Sequence, residues 1–557
     1  MCRSFLIAGG GVFGASTAVH LKKRFPDASV RILERSPSTA NTTVSPSPDA
    51  ASSDLNKIIR ADYADEAFRR LAVDAIAHWR TDERLRPFYH EVGLLLHSLP
   101  YSSSRRDELD AARKVAERGV AEAQAAADVE GSSNGSDLPA VAFLCNTDQH
   151  LQQAIPAPAL ASAGTALRAI AQDGSEDAEG AAYLNPRAGW AEAKEATSAM
   201  LRYAIELGVH VIYGAEVVEL LTTTGEGEGQ RLACGLKTAD GTKQVLDEAD
   251  EGAIFLCTGS WTPHLLQTLT RNEPALPPIT APPVVFSAQT VLLVEVSEDV
   301  ALRHANIPVV LNYDTGFYCF EPRRVEGTDG VDRWLVKCAI HDRGYQAPTP
   351  PAPAGSKSLP CYPGFDAARP DESRERSVLA SSSARKHVPA EHEARMLQAL
   401  KAVWPEMVEH GTVHESRICW YAETTDENWL IDRHPSLPNL IVASGDSGHG
   451  FKFLPTIGEL IIARLPAHVQ TEPARPIPPL NEHWTRVFSW AHHEERFEAV
   501  RQKAQAAGSG TSVANNIEWK PDRDSASKVL KGEGPGLVGA EHDSSAIVAL
   551  MIRGQAY

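Results

Sequence analysis

The chain opens with a strand-like Phe5-Leu-Ile-Ala8 that runs directly into Gly9-Gly-Gly11-Val12-Phe13-Gly14. Helical apolar spacing follows, and a second strand-like run ends at Glu34 and Arg35. A G-x-G-x-x-G turn between a strand and a helix leaves few folds open. Gly9 permits the tight turn, Gly11 lets backbone approach a pyrophosphate, and Gly14 lets helix and strand pack closely. Val12 and Phe13 open the helix, whose N-terminus faces the phosphates with a partial positive charge. Glu34, twenty residues after Gly14, is placed to accept hydrogen bonds from ribose hydroxyls. The pattern specifies a dinucleotide and the first unit of a doubly wound α/β domain. It does not choose between a flavin and a nicotinamide.

A chain of 557 residues can bury more than one core, so two or more domains are expected. Its net charge of −18 argues against a nucleic-acid surface and an anionic membrane as partners. No apolar run is long enough to span a bilayer, and the N-terminal segment lacks the pattern of a secretory signal. Eight cysteines stand singly at 2, 145, 234, 257, 319, 338, 361 and 419, without a CxxC pair or zinc spacing. The expectation is a cytoplasmic protein with buried thiols and no metal site, Cys419 being the one cysteine set apart. The final Gly554-Gln-Ala-Tyr557 is not a Ser-Lys-Leu-type peroxisomal signal.

Along the chain, Asp65 to Arg80 and Trp190 to Leu207 carry helical apolar spacing. Strands are expected at 209–213, 215–221 and 253–256, and an antiparallel sheet over 287–341. A charged, alanine-rich helix from Arg105 to about Val129 precedes the linker Gly131-Ser-Ser-Asn-Gly-Ser136. The proline-rich stretch from 346 reads as a flexible loop to 385, and the chain after Gln470 reads as polar and irregular. The expected class is α/β plus α+β. Residues 1–98, 183–275 and 414–470 form a discontinuous Rossmann-like domain. An antiparallel-sheet domain, 276–413, is inserted into it with 99–182 as an embellishment, and 471–557 is a C-terminal extension.

Two further stretches bear on the cofactor. Arg417-Ile-Cys-Trp-Tyr-Ala-Glu-Thr-Thr-Asp-Glu-Asn-Trp-Leu-Ile-Asp432 holds one cysteine in a buried-strand pattern. Asn439-Leu-Ile-Val-Ala-Ser-Gly-Asp-Ser-Gly-His-Gly-Phe-Lys-Phe453 runs from an apolar strand into a glycine-punctuated turn that ends in a lysine. With the N-terminal fingerprint they describe a flavin site with a candidate covalent tether.

These blocks, with 53–60, 183–220, 254–263 and 316–341, resemble the FAD-dependent amine oxidases of the sarcosine, pipecolate, saccharopine and fructosyl amino acid oxidase group. That resemblance implies a D-amino acid oxidase-like or glutathione reductase-like architecture and bound FAD. Cys419 looks like the cysteine that bonds the 8α carbon of the flavin, chemistry that needs nearby cations to favour the thiolate. Gly448, Gly450 and Phe451 resemble the loop at the pyrimidine edge of the ring. Lys452 resembles a lysine that reaches the substrate carboxylate. In Ser53-Asp-Leu-Asn-Lys57-Ile-Ile-Arg60, Ser53 and Lys57 stand where the group contacts the flavin. Arg60 matches the arginine that grips the carboxylate with its planar fork. Lys337, in Lys337-Cys-Ala-Ile-His341, resembles the lysine that promotes reaction with O2, since a fixed cation stabilises superoxide. A regular strand would put His341 on the same face. Tyr318 resembles an active-site tyrosine, and Val217 and Trp261 resemble further FAD contacts. The group's histidine pair before this Lys57 block is Ser52-Ser53 here. His341 stands where the fructosyl amino acid branch carries an acid.

The resemblance implies a monomeric oxidase of an amino acid or N-substituted amino acid, giving an imine and hydrogen peroxide from O2. Its partners are the small substrate and O2. Its location is cytoplasmic, or peroxisomal as in some of the group. An Amadori-product oxidase, a flavin amine dehydrogenase with another acceptor, and a non-catalytic flavin-binding protein are the alternatives.

Overall fold

The computed structural model describes residues 3–37, 45–97, 143–171, 182–224, 231–247, 252–277, 283–341, 388–470 and 482–506, apart from 49, 64, 146, 274–275, 313–314, 328–329 and 389. The expected helix from Arg105 and the loop 346–385 lie outside these residues.

A six-stranded sheet holds the fingerprint. Its order is Leu430–His434, Leu437–Ser444, Ala253–Leu256, Ser4–Ala8, Ser29–Glu34 and His210–Tyr213. All neighbours are parallel except the first pair. The central strands Ser4–Ala8 and Ala253–Leu256 are buried along their whole length, which explains why they read as unbroken apolar runs. Helix Val12–Arg24 covers one face together with Ala193–Glu206 and Ile457–Ile462. The expected helix from Asp65 appears as Glu66–Thr81, with the Asp65 carboxylate accepting from Phe68 N–H at 2.9 Å as its cap.

A nine-stranded sheet lies beside it. Eight strands run in the order Thr412–Glu423, Val285–Val296, Asp332–Ile340, Phe317–Cys319, Val309–Asn312, Leu94–His97, Ala182–Asn185 and Phe143–Leu144, with Arg323–Glu326 paired on Asp332–Ile340. It is antiparallel as expected, save that Val309–Asn312 runs parallel to Leu94–His97. Four of its strands come from outside 276–413: 94–97, 143–144, 182–185 and most of 412–423. The strand bearing Cys419 therefore belongs to this sheet. Alternation of apolar side chains does not say which sheet a strand joins.

Other readings shift. Trp190 lies in the strand Gly189–Ala191 rather than in the helix that follows, and its indole donates to Glu321 at 2.9 Å. Part of the 99–182 embellishment is core. Leu151, Ile155 and Leu167 pack with Met396, Leu400 and Val403 beneath the nine-stranded sheet. The extension after 470, read as irregular, contains helices Glu482–Val487 and Trp490–Ala506. Trp484, Phe488 and Trp490 from it are buried. The three aromatic residues come in a short, otherwise polar stretch, so their period was hidden. Among the described residues no helix is long and apolar enough to cross a membrane, and the six described cysteines are free.

Candidate active site

Two adjoining cavities lie where the sheets meet. The larger, of about 450 Å³, runs along the C-terminal ends of the parallel strands. Gly9, Gly11, Val12, Phe13, Glu34 and Arg35 line it from the fingerprint, Val217 from the strand Val217–Thr224, and Trp261 from the 3-10 turn Gly259–Trp261. Gly448, Gly450, Phe451 and Lys57 line its inner end. Gly9 has φ +95, and a Cβ there would lie 2.5 Å from the Cys257 carbonyl oxygen. Gly14 does not line the cavity. A Cβ on it would sit 1.9 Å from Gly9 O, the close packing that the motif implies.

The Glu34 carboxylate accepts from Gly10 N–H at 2.7 Å and from Ser36 N–H at 2.9 Å, which fixes it at the cavity wall. Arg35 lies 3.7 Å over the Trp261 ring. Ser52, not Ser53, faces this cavity: its hydroxyl accepts from Val12 N–H at 3.1 Å. Ser53 turns away and donates to Ser47 O at 2.6 Å.

The smaller cavity, about 80 Å³, gathers Arg60, Lys452, Lys337, His341 and Tyr318 from segments far apart in the chain. Lys57, Tyr421, Gly448 and Phe451 line both cavities and mark their junction. Gly448 has φ +73, and a Cβ there would meet Tyr421 at 2.6 Å and His341 at 2.9 Å. Only glycine fits that junction.

Charge in the smaller cavity is held by buried partners. Lys337, fully buried, donates to Asp54 Oδ2 at 2.6 Å and to Asn56 O at 2.6 Å. Arg417 donates to the other oxygen of Asp54, and Lys57 lies 3.2 Å from Oδ2. Burial alone would raise the Asp54 carboxyl, but the three cations hold it well below its ordinary value. Burial lowers Lys337 to about 8, with Asp54 opposing. For Lys57 the depressing effect of burial is outweighed by its neighbours Cys419 and Asp54, so it is raised.

At the other side, Lys452 Nζ donates to Tyr63 Oη at 2.6 Å and to His449 O at 2.8 Å. Tyr63 Oη donates in turn to His449 Nδ1 at 3.0 Å, and His449 Nε2 donates to Glu427 O at 2.9 Å. That chain requires a neutral imidazole, consistent with burial and Lys452 lowering His449 to about 3. Burial, then Arg60, lowers Lys452 well below the usual lysine range. An anion between these two cations would restore its charge. Arg60 is buried, with one N–H on Asp62 O at 2.5 Å.

Cys419 is fully buried in strand Thr412–Glu423, opposite Gln289. It lines neither cavity. It packs against Tyr421 and Tyr318, which do, and shares a strand face with Arg417 and Tyr421. The motifs singled out in the sequence contain Asp54, Arg417, Glu427 and His449 without a role for any of them, and Tyr63 lies outside them. A buried acid among basic neighbours was the available signal for Asp54. Nothing local ties it to positions 337 and 417. Asp426, His492 and His493 bring metal-ligand atoms within 4.8 Å of one another, but Arg496, 3.7 Å from Asp426, opposes a cation there.

The chain belongs to the family of FAD dependent oxidoreductases, whose pattern it matches over residues 4–464. It is 26% identical over 506 residues to the L-saccharopine oxidase of Schizosaccharomyces pombe, covering 89% of this chain and 95% of that one. An amino acid oxidase of Aspergillus flavus is 24% identical over 82% of this chain and 92% of its own. The fold superposes on the fructosamine oxidase Amadoriase II of Aspergillus fumigatus with a TM-score of 0.60 at 22% identity, covering 89% and 91% of the two chains. A fructosyl peptide oxidase gives 0.62, also at 22% identity, over 89% and 96%.

The residues present fit FAD. The larger cavity has a glycine-built phosphate end, an anchored acid at the second strand, and an inner end opening on the charged cavity.

Proposed function

We propose that the protein is a FAD-dependent oxidase of an amino acid or N-substituted amino acid. Its nucleotide-binding domain is assembled from three separate segments, with the nine-stranded sheet as the substrate domain. The observation that carries the reading is the meeting of Arg60, Lys452 and Lys337 in one small cavity that adjoins the glycine-lined one. The likeness to an L-saccharopine oxidase over nearly the whole chain supports it. An Amadori-product oxidase is supported by the shared fold alone.

FAD held in the larger cavity would supply the two-electron oxidising power that converts an amine to an imine, with O2 reduced to hydrogen peroxide. The protein's own residues hold and tune. Gly9, Gly11 and the helix N-terminus hold the pyrophosphate, and Glu34 the ribose. Arg35, Trp261 and Val217 line the adenosine side, and Gly448, Gly450 and Phe451 the ring edge. Cys419 is the residue we assign to a thioether tether; it shares a strand face with Arg417 and packs against Tyr421, which lines both cavities. Arg60 and Lys452 hold the substrate carboxylate. Lys337, cationic below about pH 8, offers a fixed positive charge for O2 reduction. The amine reacts as its neutral base, and His341 at the cavity wall is placed to tune that protonation. No other proton acceptor is required.

The test is anaerobic addition of L-saccharopine, sarcosine and L-pipecolate to the holoenzyme, followed by air. Bleaching of the flavin and then one peroxide per turnover is the expected result. Acid-precipitated protein should stay yellow, and Cys419→Ser protein should lose its colour. Protein that takes up no flavin, or a flavin that no such amino acid bleaches, would overturn the reading.

A further inference from the structure

We propose that the small cavity is built for an amino acid carrying a second cationic group, and that Glu427 is the residue that selects it. The inference rests on the substrate reading above and adds the chemistry of the side chain.

Charge in the cavity is lopsided. Two acids, Asp426 and Glu427, face its cations. Asp426 is already matched. It accepts from His492 Nε2 at 2.6 Å and from Asn428 Nδ2 at 2.9 Å, with Arg496 at 3.7 Å. The Glu427 carboxyl has no hydrogen bond or ion pair with any of the described residues. Its charged neighbours, Glu423 and Asp426, are both acidic, and with burial they push its carboxyl well above the ordinary value. A carboxyl so placed costs the protein free energy that a neutral side chain would not.

Its position is fixed. The Glu427 backbone sits at φ +62, unusual for any residue but glycine. Its carbonyl is held by His449 Nε2 at 2.9 Å, and Thr424 Oγ1 holds the next carbonyl, Asn428 O, at 2.7 Å. His449 is bonded through Tyr63 to Lys452. The acid and the cation that receives the substrate carboxylate are thus tied to one hydrogen-bonded frame. A substrate held by its carboxylate at Arg60 and Lys452 brings its other end toward Glu427. An ammonium or guanidinium there gains a partner and relieves the acid; an apolar end leaves the half-buried carboxyl facing only acids. That difference is specificity. If Glu427 instead served the reacting amine, every substrate would depend on it equally.

Calorimetric titration of the anaerobic holoenzyme separates these cases. The probes are Nα-methyl-L-lysine and Nα-methyl-L-norleucine, which differ only in the terminal ammonium. The wild-type protein should bind the lysine derivative about tenfold or more tightly, as a desolvated charge pair allows. Glu427→Gln should bring the two affinities to within about threefold, and Glu427→Asp should retain part of the preference. Flavin absorbance reports whether each variant is folded and loaded. Equal affinities in the wild type, a preference that survives Glu427→Gln, equal weakening of both probes, or no binding of either would each overturn the proposal. A charge preference without flavin bleaching would sink the oxidase reading and leave this one standing.

Discussion

The two adjoining cavities are made of different material. The larger is walled mostly by backbone, glycines and short side chains at the ends of neighbouring parallel strands. The smaller is walled mostly by long charged and aromatic side chains from four distant stretches, 57–68, 311–341, 421–428 and 447–452. A cofactor shared by many enzymes needs a shape and a helix terminus, which backbone supplies. A particular substrate needs charges at set places, which only side chains supply. The cost is placed accordingly. The smaller cavity stands on a buried cluster of three cations and one acid, whereas the larger one stands on packing.

If that contrast holds, the most damaging single change is at Asp54, the acid on which Lys337, Lys57 and Arg417 converge. Asp54→Asn leaves their charges buried and poorly compensated. A loss of about 3–5 kcal/mol is expected, seen as a lower urea midpoint with unchanged slope. The pH sign follows. A carboxyl held below its unfolded value stabilises above that value, about 3.9, and loses its contribution as pH falls below it. Acid unfolding of the wild type should therefore steepen below about pH 4, and the Asn variant should lack that component. A variant as stable as wild type would show that the cluster does not support the site.

Next in size is Lys337→Met. Reoxidation of the reduced holoenzyme by O2 should slow by about 10²–10³-fold, the usual scale for one oriented charge, while anaerobic reduction by substrate changes little. Since burial lowers Lys337 to about 8, wild-type reoxidation should fall as pH rises through that value. The Met variant should show a flat profile. Equal losses in both half-reactions would place Lys337 in the fold and not in the chemistry.

The larger cavity is tested by Gly14→Ala. The added methyl would lie 1.9 Å from Gly9 O, with Ile7 at 3.3 Å, so helix and strand must part. Overpacking of this kind costs about 1–3 kcal/mol. Flavin should be retained less well, measured by absorbance after gel filtration, with the charge selectivity of the smaller cavity intact in whatever remains loaded.

The same contrast explains what could be read in advance. Gly9, Gly11 and Glu34 fall within one strand–turn–helix–strand unit, so local spacing is enough to find them. Fully buried strands such as Ser4–Ala8 and Ala253–Leu256 announce themselves as apolar runs. The residues of the smaller cavity became candidates only through resemblance to a known group. Even so, Asp54 was passed over inside a quoted motif, because two of its three cationic partners are 283 and 363 positions away. Ser52 and Ser53 were exchanged because a short 3-10 turn, Ala51–Ser53, decides which of two adjacent hydroxyls faces the cavity. Cys419 went to the wrong sheet because pairing partners are not encoded in a strand's own alternation.

The largest misreading concerns the extension after 470, and it yields the smallest predicted effect. Helix Trp490–Ala506 places His492 on Asp426 and His493 Nε2 on Trp429 O at 3.1 Å. Trp484 and Phe488 pack on Phe68 and Trp429 with ring centres 5.0 and 5.3 Å apart. All of this backs the wall of the smaller cavity, and none of the described residues of the extension lines the larger one. His492→Ala removes a partly exposed hydrogen bond to a carboxylate that keeps Asn428 and Arg496 as partners. The expected loss is about 0.5–1.5 kcal/mol of stability. Because Asp426 anchors the turn that carries Glu427, the variant should also weaken binding of Nα-methyl-L-lysine by a few-fold, and flavin content should not change. His492→Gln, which can still donate, should recover most of both losses. Weakened flavin retention in His492→Ala, with substrate binding untouched, would tie the extension to the larger cavity and undo the separation drawn between the two.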